Sequence, residues 1–166
     1  MKEGIEIEKI AEMVNKNDAN EYNVFFDYPY YNISNAGRNQ FEIQSNLIFN
    51  SKIGTVFNFQ NDSRSNFVFN LKRNFVNKKI IFQNITFYNY ILENLITLKI
   101  EEIDDNNFTI EFDNCTFIDN SGYIININFA PFKYFSNSPQ VIFNNCQFRY
   151  RNMLLNINFV INNINN

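Results

Sequence analysis

Two cysteines and a scatter of carboxylates are the residues that could do chemistry here, and no histidine accompanies them. Without imidazole, the usual general base, the histidine-based nucleophile triads and most zinc chemistry are missing. Cys115 and Cys146 therefore lack the partner that usually makes a catalytic thiolate. Hydrolysis of a polysaccharide would need one carboxylic acid and one carboxylate facing a single cleft. When the repeats described below are overlaid, Asp113 aligns with Gln83 and Asn144 and stands alone. Asp119 aligns near Tyr88 or Asn89 and Tyr150, with Arg149 and Arg151 close by, a pattern that reads first as a surface ion pair. Glu101, Glu102, Asp104 and Asp105 could offer oxygen ligands to a divalent cation, but a solvated loop is the simpler reading. The sequence therefore assigns no catalytic, cofactor-binding or metal-binding residue and implies no cofactor.

The two cysteines lie inside a recurring phrase, F-x-N-[I/C]-x-F. Its copies start at Phe82, Phe112 and Phe143, steps of 30 and 31 residues. A period of that length marks one structural unit stacked on the next. A strand enters each copy, at Ile80 to Phe82, Phe108 to Phe112 and Val141 to Phe143. A short strand closes on Phe87, Phe117 or Phe148, and a third follows at Tyr90 to Leu98, Tyr123 to Phe129 or Met153 to Phe159. Three short strands with corners between them are the layout of one coil of a parallel β-helix. Glu101 to Asn107 and Pro131 to Gln140 read as loops. The physical expectation is that Asn84, Asn114 and Asn145 sit at corners, turn inward and satisfy backbone groups left off the ladder. Cys115 and Cys146 would be stacked, inward, packed thiols, a disulfide being open if their separation suits it. Phe87, Phe117 and Phe148 would stack as an aromatic row. The alternative is a generic β-sandwich whose strands share an Asn-rich turn.

Before the phrase, strand patterning is weaker but present. Phe41, Ile43, Ser45, Leu47 and Phe49 alternate with polar or outward residues, and so do Phe57 with Phe59, and Phe67 with Phe69 and Leu71. Val24 to Phe26 reads as a first strand and Asp27 to Tyr31 as an aromatic turn broken by Pro29. Residues 5 to 16 read as an amphipathic helix with Ile5, Lys9 and Met13 at four-residue steps, widened by Ile10 and Val14. Tyr28, Tyr30 and Tyr31, and Tyr88 with Tyr90, offer rings that could stack on sugars or anchor an interface. Covering the end of the core is the favoured reading for the first group.

Composition agrees. Asn contributes 34 of 166 residues, Ile 23 and Phe 20, while Gly and Pro number 4 and 3. The apolar set is strand-favouring. AT-rich coding would account for the bulk Asn content, but not for Asn recurring in one frame. The net charge of -3 argues against a nucleic-acid partner, and Lys72, Arg73, Lys78 and Lys79 read as a solvated turn. No apolar run approaches the ~18 residues of a membrane span. N-x-[S/T] occurs at Asn32, Asn61, Asn84, Asn107 and Asn114. Asn32 and Asn61 are the better glycan acceptors, since Asn84 and Asn114 belong to the inward row.

Asn114-Cys115-Thr116-Phe117 with Asn120 resembles the N-C-x-F-x-x-N coil signature of right-handed parallel β-helix proteins, a pectate-lyase-like solenoid. It is similar in style to the repeats of chlamydial polymorphic outer membrane proteins and of surface proteins from AT-rich eukaryotes. Asn145-Cys146-Gln147-Phe148 fits with Asn152 one residue late. Asn84-Ile85-Thr86-Phe87 departs at Ile85 and shifts the final Asn to Asn89. The resemblance covers residues 80 to 160, with 41 to 75 as degenerate earlier coils. It implies an all-β fold, a right-handed parallel β-helix with a short N-terminal capping helix. It also implies an extracellular or cell-surface setting, although Met1 to Ile5 shows no signal-peptide pattern.

The expected organisation is a cap helix and first strand over residues 1–40 and coils over 41–166, continuing or uncapped at the end. A complete chain and a piece of a longer protein both stay open. The expected function is a non-enzymatic structural, adhesion or recognition module of a larger surface or secreted protein. The alternatives are a carbohydrate-active lyase or hydrolase, and a self-associating Asn-rich protein. The expected partner is an extended polysaccharide or protein along the side of the coil, with no nucleic acid and no direct membrane insertion. Self-association through an uncapped last coil is a further expectation.

Overall fold

The computed structural model describes residues 7–16, 19–33, 40–60, 66–71, 77–91, 94–100, 108–121, 123–129, 141–149 and 157–161. One helix, α1 (Ile7–Asn15), precedes the strands. The early strands are β1 (Glu21–Phe25), β2 (Tyr30–Asn32), β3 (Gln40–Ile43), β4 (Asn46–Asn58) and β5 (Phe67–Leu71). The repeat region supplies β6 (Lys78–Tyr88), β7 (Asn94–Ile100), β8 (Phe108–Asp113), β9 (Thr116–Ile118), β10 (Tyr123–Phe129), β11 (Val141–Asn144), β12 (Gln147–Arg149) and β13 (Ile157–Ile161).

Every pairing among the described strands is parallel. One sheet runs β1-β4-β6-β8-β11, with β2 on β4, β9 on β6 and β12 on β9; the other runs β3-β5-β7-β10-β13. Parallel neighbours cannot be joined by a hairpin, so the chain must travel round before it returns to the same ladder. It does so in near-constant steps: Phe82 faces Phe112, Phe112 faces Phe143, and Ile96 faces Ile125. The result is a solenoid-like all-β arrangement of two parallel sheets with one short helix at the start. Among the described residues the parallel ladder begins at Glu21, which faces Asn46.

The interior is built from phenylalanine. Phe49 stacks on Phe82 at 4.9 Å, Phe82 on Phe112 at 5.3 Å and Phe112 on Phe143 at 4.9 Å. The expected row also forms, with Phe87 on Phe117 and Phe117 on Phe148, both at 5.1 Å. The two rows meet edge to face within each coil, Phe82 against Phe87 at 5.6 Å and Phe112 against Phe117 at 5.5 Å. Period-2 alternation puts one Phe of each strand inward, and the parallel register places it over its counterpart. Offset stacks along the axis and T-shaped contacts across it are the two geometries that ring quadrupoles favour.

Three expectations are corrected. The alternation from Phe41 to Phe49 is two strands in different sheets, not one. A bend at Gln44–Ser45 separates β3 from β4 without changing the alternation, so periodicity cannot detect it. The Ser45 hydroxyl donates to the Ala19 carbonyl there. The helix buries Ala11 and Val14 with Ile10 beside them, whereas Met13 is 68% exposed and off that face. At about 100° per residue, Ile10, Ala11 and Val14 share a stripe and Met13 lies outside it. Thirdly, Asn84, Asn114 and Asn145 do not turn inward. They hold φ of 57°, 53° and 52°, the left-handed region that Asn tolerates better than most residues. Asn114 and Asn145 are exposed and Asn84 half-buried. Asn does stack on Asn, the Asn114 amide donating to Asn84 Oδ1 at 3.1 Å, but on the outside of the corner.

The inward amide belongs to Asn120, at the second corner. It accepts from the Tyr90 N–H at 2.9 Å and donates to the Phe87 carbonyl at 3.0 Å, replacing bonds that the bend removes from the ladder. At the sheet edge Asn15 does a related job. Its amide donates to the Gln40 carbonyl at 3.1 Å and accepts from the Glu42 N–H at 2.8 Å, imitating a neighbouring strand along β3.

Candidate functional site

The first-corner position is regular in the later coils and irregular in the first two. Between the paired positions Gln83 and Ile85 lies one residue, Asn84. Between their partners Asn50 and Thr55 lie four, Ser51 to Gly54. The extra residues are tied down from below. The Ser51 hydroxyl donates to the Phe26 carbonyl at 3.2 Å, the Thr55 hydroxyl to the Tyr28 carbonyl, and the Val56 N–H to the Pro29 carbonyl at 2.9 Å. Asn84 donates to the Ser51 carbonyl at 2.7 Å from the next coil. Gly54 carries a φ of 76° directly over Asn84, the position where its coil makes the left-handed turn.

Fixing Ser51 and Thr55 inward leaves Lys52 and Ile53 in solvent, Ile53 at 60% exposure. Lys52 stands beside Phe25, which is 55% exposed and has the Lys52 ammonium 5.9 Å from its ring centroid. Such a contact at an exposed site is worth about 0.5–1 kcal/mol. Tyr28 and Tyr30, which follow in the chain, are also exposed. Tyr30 accepts a hydrogen bond at its hydroxyl from the Asn58 amide, which fixes its ring. Phe25 also borders an apolar groove of about 250 Å³ between α1 and β1, lined by Ile10, Met13, Val14, Tyr22 and Val24. Among the described residues β1 pairs with β4 alone.

The tyrosine expectation therefore divides. Tyr31 is buried against Phe26 at 5.5 Å and closes the core, as favoured, while Tyr28 and Tyr30 face out. Tyr90 is buried against Phe59 at 5.4 Å. Phe25, Lys52 and Ile53 are missed by sequence reasoning. A signal exists: eight positions separate Phe49 from Phe57, but five separate Phe82 from Phe87, Phe112 from Phe117 and Phe143 from Phe148.

Among the described residues, no three carboxylates converge. Asp113 ends β8 and Asp119 follows β9, at successive corners. Glu111 projects from the same face of β8 as Asp113 and accepts from the Asn144 amide at 2.7 Å. Glu111 and Asp113 are thus side by side on one strand, with Glu111 engaged by Asn144. Arg149 donates to Gln147 Oε1 at 2.7 Å. Arg151, Glu101, Glu102, Asp104 and Asp105 lie outside the described residues, as do Lys72, Arg73, Asn61 and Asn107. No group of three or more His, Cys, Asp or Glu that could hold a metal ion occurs among the described residues. The reasoning that discounted Asn114 as a glycan acceptor is overturned, since its side chain is exposed. Asn32 receives a 3.4 Å hydrogen bond from Asn58.

Cys115 and Cys146 are free thiols in one inward column with Ile85 and Thr55. Their hydrogen bond to each other and burial push the Cys115 thiol far up. The same bond, with help from the Cys115 and Asn144 backbone, brings Cys146 down to about 7. The half-buried member is thus the one that ionises.

No protein-family model, curated protein or solved structure matches this chain.

Proposed function

We propose that the chain is a non-enzymatic recognition module on a right-handed parallel β-helix, binding an extended ligand at the first two coils. Right-handedness follows the strong preference of twisted strands for right-handed crossovers to a parallel neighbour. Eight large apolar side chains are exposed among the described residues. Five of them, Met13, Phe25, Tyr28, Tyr30 and Ile53, precede β5. Their concentration in the early part of the chain, with Met13 and Phe25 lining one groove, is the observation that carries the proposal. An extended segment added beside β1 would gain main-chain hydrogen bonds and lay alternate side chains into the groove beside Tyr22 and Val24. A surface or secreted parent protein suits a rigid scaffold with its contact surface at one end.

The test is a screen of the full chain on arrays of random extended peptides and of polysaccharides. Hits from either array are expected to weaken at least tenfold in Ile53→Asp and Tyr28→Ala, with melting temperatures close to the parent. Hits indifferent to both substitutions, or no hit in either array, would sink the proposal.

A further inference from the structure

Cys115 and Cys146 each follow the left-handed Asn of their corner, so they hold one position in consecutive coils. Backbone hydrogen bonds bracket them. The Asn114 N–H donates to the Asn144 carbonyl at 2.8 Å just before the pair, and the Gln147 N–H to the Cys115 carbonyl at 2.9 Å just after it. In-register residues of neighbouring strands are about 4.8 Å apart. That lies inside the Cα separation of about 4.4–6.8 Å that a disulfide requires. The side chains are also favourably placed. Each sulfur lies 3.3 Å from a carbonyl oxygen of the preceding coil, Cys115 from Phe82 and Cys146 from Phe112. The Cys146 sulfur therefore already leans onto the coil that carries Cys115, and closure requires a side-chain rotation at Cys115. Burial differs across the pair, Cys115 being enclosed and Cys146 only partly covered.

We propose that these two thiols are a peroxide-sensitive pair that closes into a disulfide joining the coil of β12 to the coil of β9. Cys146 meets the oxidant first because it is nearer solvent. Its thiolate attacks one peroxide oxygen; the S–O bond forms, the O–O bond breaks, and the leaving oxygen takes a proton to become water. Cys115 then attacks the sulfur of the Cys146 sulfenic acid. The S–S bond forms, the S–O bond breaks, and the departing hydroxide carries off the Cys115 proton as water. Two thiols thus give two electrons to one hydroperoxide. The low-lying ionisation of Cys146 supports this order. At pH 7 a thiol of pKa near 7 is about half thiolate, against about 1% for one near 9, but its thiolate is intrinsically weaker. The net advantage is about fivefold.

The experiment oxidises the full chain with stoichiometric hydrogen peroxide and maps it by mass spectrometry without reduction. Expected is a peptide linking Cys115 to Cys146 within one chain, and simultaneous loss of both titratable thiols. A rise in melting temperature of about 10 °C, reversed by dithiothreitol, should accompany it. In Cys115→Ser, dimedone should trap a sulfenic acid at Cys146. The alkylation rate of Cys146 should reach half its plateau near pH 7. Accumulation of sulfinic acid at Cys146 with Cys115 unlinked, links only between chains, or no dimedone adduct in Cys115→Ser would each overturn the proposal.

Discussion

The long corner inside β4 and the one-residue corners at Asn84, Asn114 and Asn145 make the same bend in the same sheet by different means. In the short corners one left-handed Asn turns the chain, and the Asn114 amide donates to Asn84 along the axis. In the long corner Gly54 makes the left-handed turn, and Ser51 and Thr55 bond downward to the bend from Phe26 to Pro29, which is also long. Where two adjacent coils both carry long corners, each supports the other, and the residues left over face solvent. The two styles meet at Asn84, whose amide donates to the Ser51 carbonyl. Repetition therefore makes the scaffold, and its interruption makes the surface available for recognition.

The comparison breaks most visibly under truncation of phenylalanine. Phe112 stacks on Phe82 and on Phe143 in the regular coils and is fully buried. Phe112→Ala is expected to cost about 4 kcal/mol, from lost burial plus a cavity that flanking stacked rings cannot fill. Phe25→Ala, at the irregular end, should change stability by no more than about 0.5 kcal/mol. Urea unfolding of both variants checks the contrast, and comparable losses would mean that Phe25 is part of the core.

How far the sequence anticipates this division depends on what each residue type reveals. Inward Phe and Ile are legible because alternation and a constant step specify them together. The second aromatic row, Phe82 to Phe143, is missed because in the sequence those residues read only as the last positions of the entering strands. Corners are harder. Ser45 interrupts a strand pattern without shifting its parity, and Asn does not announce whether its backbone or its amide is being used. Asn114 is used for its φ of 53° and Asn120 for a buried amide, yet both are Asn at corners. Of the candidate contact surface, Tyr28 and Tyr30 stand out from their neighbours in sequence. Lys52 and Ile53 join Phe25 only through register across 25 residues, as Phe25 faces Asn50.

A second, smaller effect separates the two kinds of Asn. Asn120→Ala removes both partners at once and leaves the Tyr90 N–H and the Phe87 carbonyl unsatisfied in the core. Stranding buried groups costs about 1–3 kcal/mol each, partly relieved by water entering the space, so a loss of about 3 kcal/mol is expected. Hydrogen exchange at Tyr90 should speed up in parallel. A loss as small as that of an exposed corner Asn would contradict the inward role.

The smallest effect tests the left-handed turn itself. Asn114→Ala places a β-carbon at a φ of 53° and removes the bond to Asn84. A loss of about 1.5 kcal/mol is expected, most of it conformational. Asn114→Gly loses the same hydrogen bond but meets no steric penalty, so it should recover roughly 1 kcal/mol of that. Gly54 permits the reciprocal experiment. A β-carbon there would meet Asn84 Oδ1 at 3.6 Å, ordinary contact, so space is no obstacle and only the φ of 76° is. Gly54→Ala should lose about 1 kcal/mol and Gly54→Asn clearly less, because Asn tolerates this region. Denaturant midpoints that rank Ala equal to Gly at 114, and Asn equal to Ala at 54, would show that the side-chain ladder, not the backbone turn, selects Asn at these corners.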